Sequence, residues 1–440
     1  MDGQKTADSL CPVCMKRVKA RYVRDAGNVC FTKECPGHGV FTTPVSKDEE
    51  LFLRWMAVPD HPVPPKRPLT GHENGCPFDC GTCERHLQTA CCVVLELTAR
   101  CNMCCRVCYA SSGDAVSEEP SMETIKDWYD FLWDLGEERP FNLQLSGGEP
   151  TMRDDLPEII QMAAKKGFPY IQLNTNGLRL AREPGYARRL KDAGLSVVFL
   201  QFDSTDDRIN MLIRGQSLLA VKEQAISSCR EAGIPVALVP VIFPGMNEGE
   251  IGRLIWYAAD RCDIVKGIHF QPAAYMGRYP EHGGERCTMF DIMEEIERQT
   301  EGTIRRQDMH PLSSGHSLCS FYSTFLVNGD NTFTCTSRPG QGDCCGKIDP
   351  VAKDRDFVKD KWRVEPEGDS CCDGLDAFIH DFRKRSLTVT AMQFQDVWNL
   401  DLDRVRRCRV QVLSADKKLV PFCAYNLTDA SGNYLYRPVH

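Results

Sequence analysis

No apolar run in this 440-residue chain approaches the ~18–20 residues that a bilayer span needs. No membrane-spanning segment is therefore expected. The first residues, Met1 to Lys5, lack the apolar stretch of a secretory signal, so the expected location is the cytoplasm. Positive charge is in short supply too. The net charge is −8 and no long basic run occurs, which argues against a nucleic-acid partner. A phosphate-binding P-loop and tracts of low complexity are also missing. Hydrophobic residues make up 42% and charged residues 26%, the balance of a globular chain with an ample core. Its length suits about two to four domains. Cysteine is what the chain has in excess, with 24 residues. Disulfide frameworks belong to small secreted proteins. In a reducing compartment, thiols clustered in this way read as metal ligands. Iron–sulfur clusters would further suggest an anaerobic or oxygen-protected setting.

The most telling cluster is Cys101, Cys105 and Cys108, spaced C-x3-C-x2-C just after an apolar run, 92–98, that reads as a strand. Three thiolates on one short loop can hold three irons of a [4Fe–4S] cluster and leave the fourth open to a substrate. Cys104 falls inside the motif but off its spacing. The pattern resembles that of radical S-adenosylmethionine (radical SAM) enzymes. The resemblance implies that the open iron chelates SAM, and that one electron from the cluster releases a 5′-deoxyadenosyl radical that abstracts hydrogen from an unreactive carbon. An electron donor such as ferredoxin or flavodoxin is then the expected redox partner.

Residues 1–58 carry Cys11 and Cys14 in one knuckle and Cys35 with His38 in a second. Two knuckles make one tetrahedral site. Cys30 competes with His38 for the fourth position. Four sulfurs would favour rubredoxin-like iron or zinc, and three sulfurs with a histidine would favour zinc. A stiff Pro-rich stretch, 61–68, follows. Residues 59–91 then repeat the C-x3-C-x2-C spacing at Cys76, Cys80 and Cys83. This second motif lies among turn formers, and Cys91 is close enough to supply a fourth thiolate, so an auxiliary [4Fe–4S] cluster on these four is expected, with a zinc site as the rival reading. His86 reads as a surface residue.

From 92 to 300, short apolar runs (92–98, 141–146, 169–174, 196–202, 235–242, 264–271) alternate with helical patterns (121–135, 155–167, 184–194, 217–232, 249–261, 288–300). Several helices stop at glycine: Gly136, Gly167, Gly194 and Gly233. Six βα units in a row predict an α/β fold with a parallel sheet and helices outside. Given the radical SAM resemblance, this is the superfamily's partial (β/α)6 barrel. Right-handed crossovers put the strand C-termini, and hence the site, on one face. Ser146, Gly147, Gly148 and Glu149 end strand two and resemble the superfamily's Gly-Gly-Glu motif, which implies contact with the SAM amino group. Asn174 and Asn176 end strand three, Gln201 and Asp203 strand four, and His269 and Gln271 strand six, where the resemblance implies the adenine site. Arg214 resembles the arginine that reaches the SAM carboxylate; a surface ion pair is the plainer alternative. Tyr109 could pack on the adenine or on the cluster.

Residues 301–440 form a third region, expected to be a C-terminal Fe–S auxiliary domain. Cys319 and Cys335 bracket a hairpin signal at Asn328-Gly329, and Cys408 and Cys423 bracket 410–420. The four thiols could hold a further cluster, with Cys344, Cys345, Cys371 and Cys372 as substitutes for one of them. The whole arrangement resembles the tetraether lipid synthase family, on the strength of the N-terminal knuckles, the stretch from Gly75 to Cys83, Leu97 to Asn102, and Val420 to Asn426. That resemblance implies three [4Fe–4S] clusters, a mononuclear iron or zinc, and the joining of isoprenoid chain ends, with peripheral contact to a membrane. Modification of a soluble molecule such as a pterin, peptide or natural product is the alternative, since motifs alone do not separate the two.

Overall fold

A computed structural model describes residues 5–59, 61–113, 118–136, 140–279, 285–312, 314–330, 332–337, 350–362 and 382–438. Cys344, Cys345, Cys371 and Cys372 lie outside the described residues. The N-terminal module is an antiparallel sheet of Thr6–Leu10 (β1), Arg17–Asp25 (β2), Asn28–Cys35 (β3) and Gly39–Ser46 (β4), in that order, followed by the helix Glu49–Met56 (α1). One face of the sheet is apolar. Tyr22 and Phe31 pack edge-on at 5.1 Å, with Phe52 of α1 against Tyr22.

The six expected strands form, in sequence order, as Cys92–Glu96 (β5), Asn142–Ser146 (β6), Ile171–Thr175 (β7), Val197–Gln201 (β8), Val236–Val239 (β9) with Val241–Ile242 (β10), and Val265–Pro272 (β11). All are parallel. The crossover helices include Met122–Gly136 (α2), Leu156–Lys166 (α3), Leu178–Arg182 (α4), Tyr186–Ala193 (α5), Asp207–Arg214 (α6), Leu219–Ala232 (α7) and Ile251–Ala259 (α8). Then Met289–Gln299 (α9) follows. Helices α3, α5 and α7 stop on left-handed Gly167, Gly194 and Gly233. Outward side chains of the strands, such as Val93, Leu95, Leu143 and Leu145, meet Ile125, Leu132, Ile159 and Ile160 of α2 and α3, all fully buried. Each such side chain contributes about 1.5–3 kcal/mol, and Leu132→Ala would cost about 2–5 kcal/mol.

The C-terminal region joins this same sheet. Ser320–Val327 (β12) and Phe333–Cys335 (β13) form the hairpin expected at Asn328-Gly329. Ser386–Met392 (β14) lies parallel to β11 and antiparallel to β12. Val410–Leu413 (β15) lies parallel to β5 and pairs with Leu419–Pro421 (β16). The parallel run is thereby extended at both edges. The edges approach each other: Arg409, beside β15, donates to Ser320 Oγ of β12 at 3.1 Å. A further helix, Pro350–Lys361 (α10), closes the end where the strands begin. Its Asp354 pairs with Arg409 at 3.0 Å, and Trp362 packs against Phe199 of β8.

Candidate active site and metal centres

The N-terminal module builds a four-ligand site. Cys11, Cys14 and Cys35 Sγ and a His38 ring nitrogen all lie within 4.8 Å of one another. Cys14 and Cys35 Sγ are 3.9 Å apart, and His38 Nδ1 is 3.5 Å from both Cys11 and Cys35 Sγ. A tetrahedral zinc with bonds of ~2.3 Å to sulfur and ~2.0 Å to nitrogen needs edges of about 3.8 and 3.5 Å. The residues fit the metal. His38 donation and the Gly37 backbone hold the Cys35 thiol down at about 6. Cys30 is not a ligand. It lies on β3 between Val23 and Pro44, five residues from Cys35 and on the opposite face of the strand. At ~3.3 Å per residue it stands about 16 Å from the site.

The main cavity, about 340 Å³, opens inside the curled sheet and is lined by Cys101, Cys105 and Cys108 together with Tyr109, Ser146, Gly147, Gly148, Glu149, Asn174, Asn176, Gln201, Arg214 and Gln271. The cysteine loop is fixed from two sides. On one, Gly148 N donates to Thr98 O and Glu149 N to Arg100 O, each at 2.8 Å. A Cβ on Gly147 would fall 2.2 Å from Thr98 O, and one on Gly148 2.2 Å from Arg100 O. Only glycine permits that approach. On the other side Arg278 forms a bridge with Cys108, and its guanidinium donates to Cys105 O and Ser112 O at 2.8 and 2.9 Å. Burial pushes the Cys101 thiol up to about 12. Iron would displace that proton. Three thiols converging on one cavity from a braced loop suit the cluster expected there.

Glu149 is 1% exposed, and its carboxylate is a structural knot. Oε1 accepts from Thr151 N, Thr151 Oγ1 and Thr175 Oγ1 at 3.1, 2.7 and 2.7 Å, and Oε2 accepts from Asn176 N at 2.7 Å. Asn176 in turn donates to Asn102 Oδ1 at 2.7 Å. Strand three is thus tied to the cysteine loop. Arg214 is no surface residue. It forms a buried bidentate pair with Asp203, at 2.6 and 3.1 Å, and faces Cys105. Burial opposes its charge, but Asp203 holds the guanidinium protonated. Sequence reasoning missed Lys222. Its Nζ donates to Asn176 O at 2.5 Å and to Gln201 Oε1 at 2.8 Å, and burial lowers its pKa to about 7. Gln201 also donates to Asp203. Tyr109 lies against Phe422 at 5.4 Å, and burial raises its phenol to about 12.

The auxiliary cysteines sort differently from expectation. Cys76, Cys80 and Cys83 share one neighbourhood, but Cys408 is the distant thiol whose charge acts on Cys80. Cys91 is drawn into the main cavity, with its Sγ 3.9 Å from Cys92 Sγ and the Arg409 and Asp354 charges nearby. None of Cys76, Cys80 and Cys83 is among the groups that act on it. His86 is buried rather than superficial. It contacts Cys408 O and the Gln411 amide at 3.2 and 2.9 Å. Cys319, Cys408 and Cys423 lie within one another's electrostatic reach, and burial followed by the Cys319 charge pushes Cys408 up to about 11. Arg404 donates to Cys319 Sγ at 3.4 Å. Cys335 does not join them. It pairs with Phe325, six residues along β12 from Cys319, a separation of about 20 Å.

Residues 95–256 match the radical SAM superfamily, and residues 4–47 match the HMPTM N-terminal zinc ribbon domain. The chain is 31% identical to a Methanocaldococcus jannaschii protein named 7,8-dihydro-6-hydroxymethylpterin dimethyltransferase, over 96% of this chain and 93% of that one. It is 35% identical to Fe-coproporphyrin III synthase of Methanosarcina barkeri over 38% of this chain and 43% of that one. Streptococcus suis SuiB bound to S-adenosylmethionine is a structural neighbour, with TM-score 0.39 and 14% identity over 50% of this chain and 46% of that one. With its zinc ribbon, its radical SAM region and a relative that matches it from end to end, the chain is a radical SAM enzyme and belongs to the family of the M. jannaschii pterin dimethyltransferase.

Proposed function

We propose that this enzyme methylates a pterin-type heterocycle. The observation that carries the reading is the end-to-end similarity to the M. jannaschii protein, which extends well beyond the radical SAM region. The lining of the cavity supports it. Gln144, Gln172, Asn174, Gln201, His269, Gln271 and Thr390 face inward from five strands. Amides and an imidazole suit the edge of a nitrogen heterocycle. An acyl chain would leave His269 Nε2 and the Gln271 amide without partners, at about 1–3 kcal/mol for each buried group.

In this reading Cys101, Cys105 and Cys108 hold the cluster that binds SAM. When bound, the pair supplies the 5′-deoxyadenosyl radical for hydrogen abstraction. Asp203 aims the Arg214 guanidinium toward the cysteine loop, where it can meet a carboxylate. Glu149 Oε2 accepts a single protein hydrogen bond and keeps capacity for an ammonium. Cys76, Cys80 and Cys83, and the group of Cys319, Cys408 and Cys423, are assigned to auxiliary iron–sulfur chemistry, and residues 5–46 to a structural zinc. The domain division at 58, 91 and 300 is kept as a division of roles.

The test is anaerobic incubation of the reconstituted full-length enzyme with SAM and a reductant in two arms. One contains 7,8-dihydro-6-hydroxymethylpterin and the other isoprenoid lipids. The reading expects a pterin product heavier by one or two methyl groups. Joined lipid chains with an unchanged pterin would replace it by the lipid-coupling reading.

A further inference from the structure

The cavity holds hydrogen-bonding groups that neither the cysteine loop nor the Glu149 knot uses. His269 stands on β11 beside Thr390 of β14. Its Nδ1 lies 2.7 Å from Thr390 Oγ1, and the Thr390 hydroxyl donates to Ile268 O at 3.2 Å. A hydroxyl has one proton. With that proton directed at Ile268, Oγ1 can only accept from the imidazole. When both contacts are hydrogen bonds, this assigns the hydrogen of His269 to Nδ1 and leaves Nε2 as an acceptor. Burial, and next the Arg409 charge, lower the pKa of His269 to about 4, so the ring stays neutral.

Among the described residues nothing engages Nε2, and the residue lines the cavity. Two residues further on, Gln271 lines the same cavity, about 7 Å along the strand. Its side-chain amide makes no hydrogen bond with the described residues. The Phe199 ring lies 5.9 Å from the imidazole and rests on Trp362 at 5.5 Å. A fixed acceptor, a free amide and a backed aromatic wall are the complement of a flat lactam ring, which offers N–H donors, a carbonyl and a π-face.

We propose that His269 and Gln271 read the ring edge of the heterocyclic substrate, with Nε2 accepting a ring or exocyclic N–H and Phe199 lying against the ring face. This rests on the pterin reading above and assigns Gln271 to the substrate instead of to SAM. The adenine of SAM offers the same N–H chemistry. The position of His269, on the Phe199–Trp362 pair that backs onto the closed floor, favours the substrate.

The test uses the reconstituted holoenzyme and three variants: His269→Phe, His269→Gln and Thr390→Val. Equilibrium binding is measured separately for SAM and for a heterocycle panel of 7,8-dihydro-6-hydroxymethylpterin, a guanine nucleoside and a flavin. Iron content and SAM affinity report folding. His269→Phe should weaken pterin binding by about tenfold to a hundredfold, the loss expected for one buried hydrogen bond, with SAM affinity within twofold. His269→Gln, which keeps an acceptor, should recover part of the loss. Thr390→Val, which releases the tautomer, should fall between. If SAM affinity drops and pterin affinity does not, the site belongs to adenine and the inference is wrong. If neither moves, His269 reads nothing, and the inference again fails. Should the wild type bind another ring of the panel but no pterin, with the same sensitivity to His269→Phe, the pterin reading falls and the edge-reading site stands. Binding of no ring at all overturns both.

Discussion

Replacing Glu149 with Gln separates two roles of the Gly-Gly-Glu stretch. The substitution keeps the side chain's shape and removes its charge. In the wild type four protein donors point at the carboxylate. The glutamine carbonyl can take the place of Oε1 and keep three of them as weaker neutral bonds. Its NH₂ then faces the Asn176 N–H, donor against donor, so that bond is lost. One charged hydrogen bond is worth about 1.5–3 kcal/mol. With the weakening of the other three, the knot should loosen by roughly 2–4 kcal/mol, which corresponds to about 30-fold to 1000-fold in local opening. Hydrogen exchange read by mass spectrometry should show that loss of protection across 174–178 and 149–153, while α8 keeps its protection. SAM affinity should drop as well. Unchanged protection at 174–178 would refute the account of the knot, whatever happened to SAM binding.

Four further outcomes test other parts of the structure. Cys14→Ala should release about one zinc per chain and strip protection from 5–46, because metal and fold are coupled in such modules; Cys30→Ala should keep the zinc. Cys423→Ser should lower cluster iron while Cys335→Ser leaves it intact, as counted by iron analysis. Lys222 keeps its proton to about 7 in the folded chain, against an ordinary value of 10.5. Between those pH values the unfolded state binds the extra proton, so stability should rise with pH, by at most ~1.4 kcal/mol per unit; Lys222→Met should flatten that slope in denaturant titrations. Arg437→Met should loosen two cysteine loops at once.

Much of the fold is legible locally. The runs 92–98 and 264–271 and the helices between them declare themselves by hydrophobic period and glycine stops, and each appears within a few residues of its expected place. The partners of β14 and β15 were not legible. Their pairing with β11 and β5 joins residues up to about 300 positions apart, and nothing in a five-residue apolar run names its neighbour. The cysteines show the same limit. Knuckle spacing pairs Cys11 with Cys14 and Cys35 with His38, because the geometry of each pair is set within a few residues. Cys335 was misplaced because bracketing a hairpin says nothing about which end of the strand a thiol occupies. Cys30 carried a readable signal, since an odd separation from Cys35 along one strand puts the two on opposite faces. Lys222 had none, because a lysine in an amphipathic helix ordinarily points to water. Asn174, Gln201, Arg214 and Gln271 line one cavity because strand ends in a βα series are necessarily gathered on one face.

The C-terminal tail ties the distant motifs together. Arg437 pairs with Glu96 at the end of β5, through Nη1 to Oε2 at 3.0 Å and Nη2 to Oε1, and it also donates to Asn426. Its neighbours extend the grip. Tyr434 hydroxyl lies 2.8 Å from both Ser111 Oγ and Tyr109 O on the first cysteine loop. Tyr436 donates to Pro77 O at 2.7 Å and accepts from Cys80 N at 2.8 Å on the second. Removing the guanidinium leaves Glu96 without its cation in a setting where Arg437 is only 7% exposed. Breaking a buried pair in this way costs about 3–5 kcal/mol. Methionine keeps most of the volume, so the loss is one of charge and hydrogen bonds. Because one tail holds both loops, Arg437→Met should raise hydrogen exchange in 76–83 and in 105–112 together. Cluster iron should leave both loops at similar rates under chelator. Loosening of one loop with the other unchanged would show that the two are held independently, and the tail would then be no more than a cover.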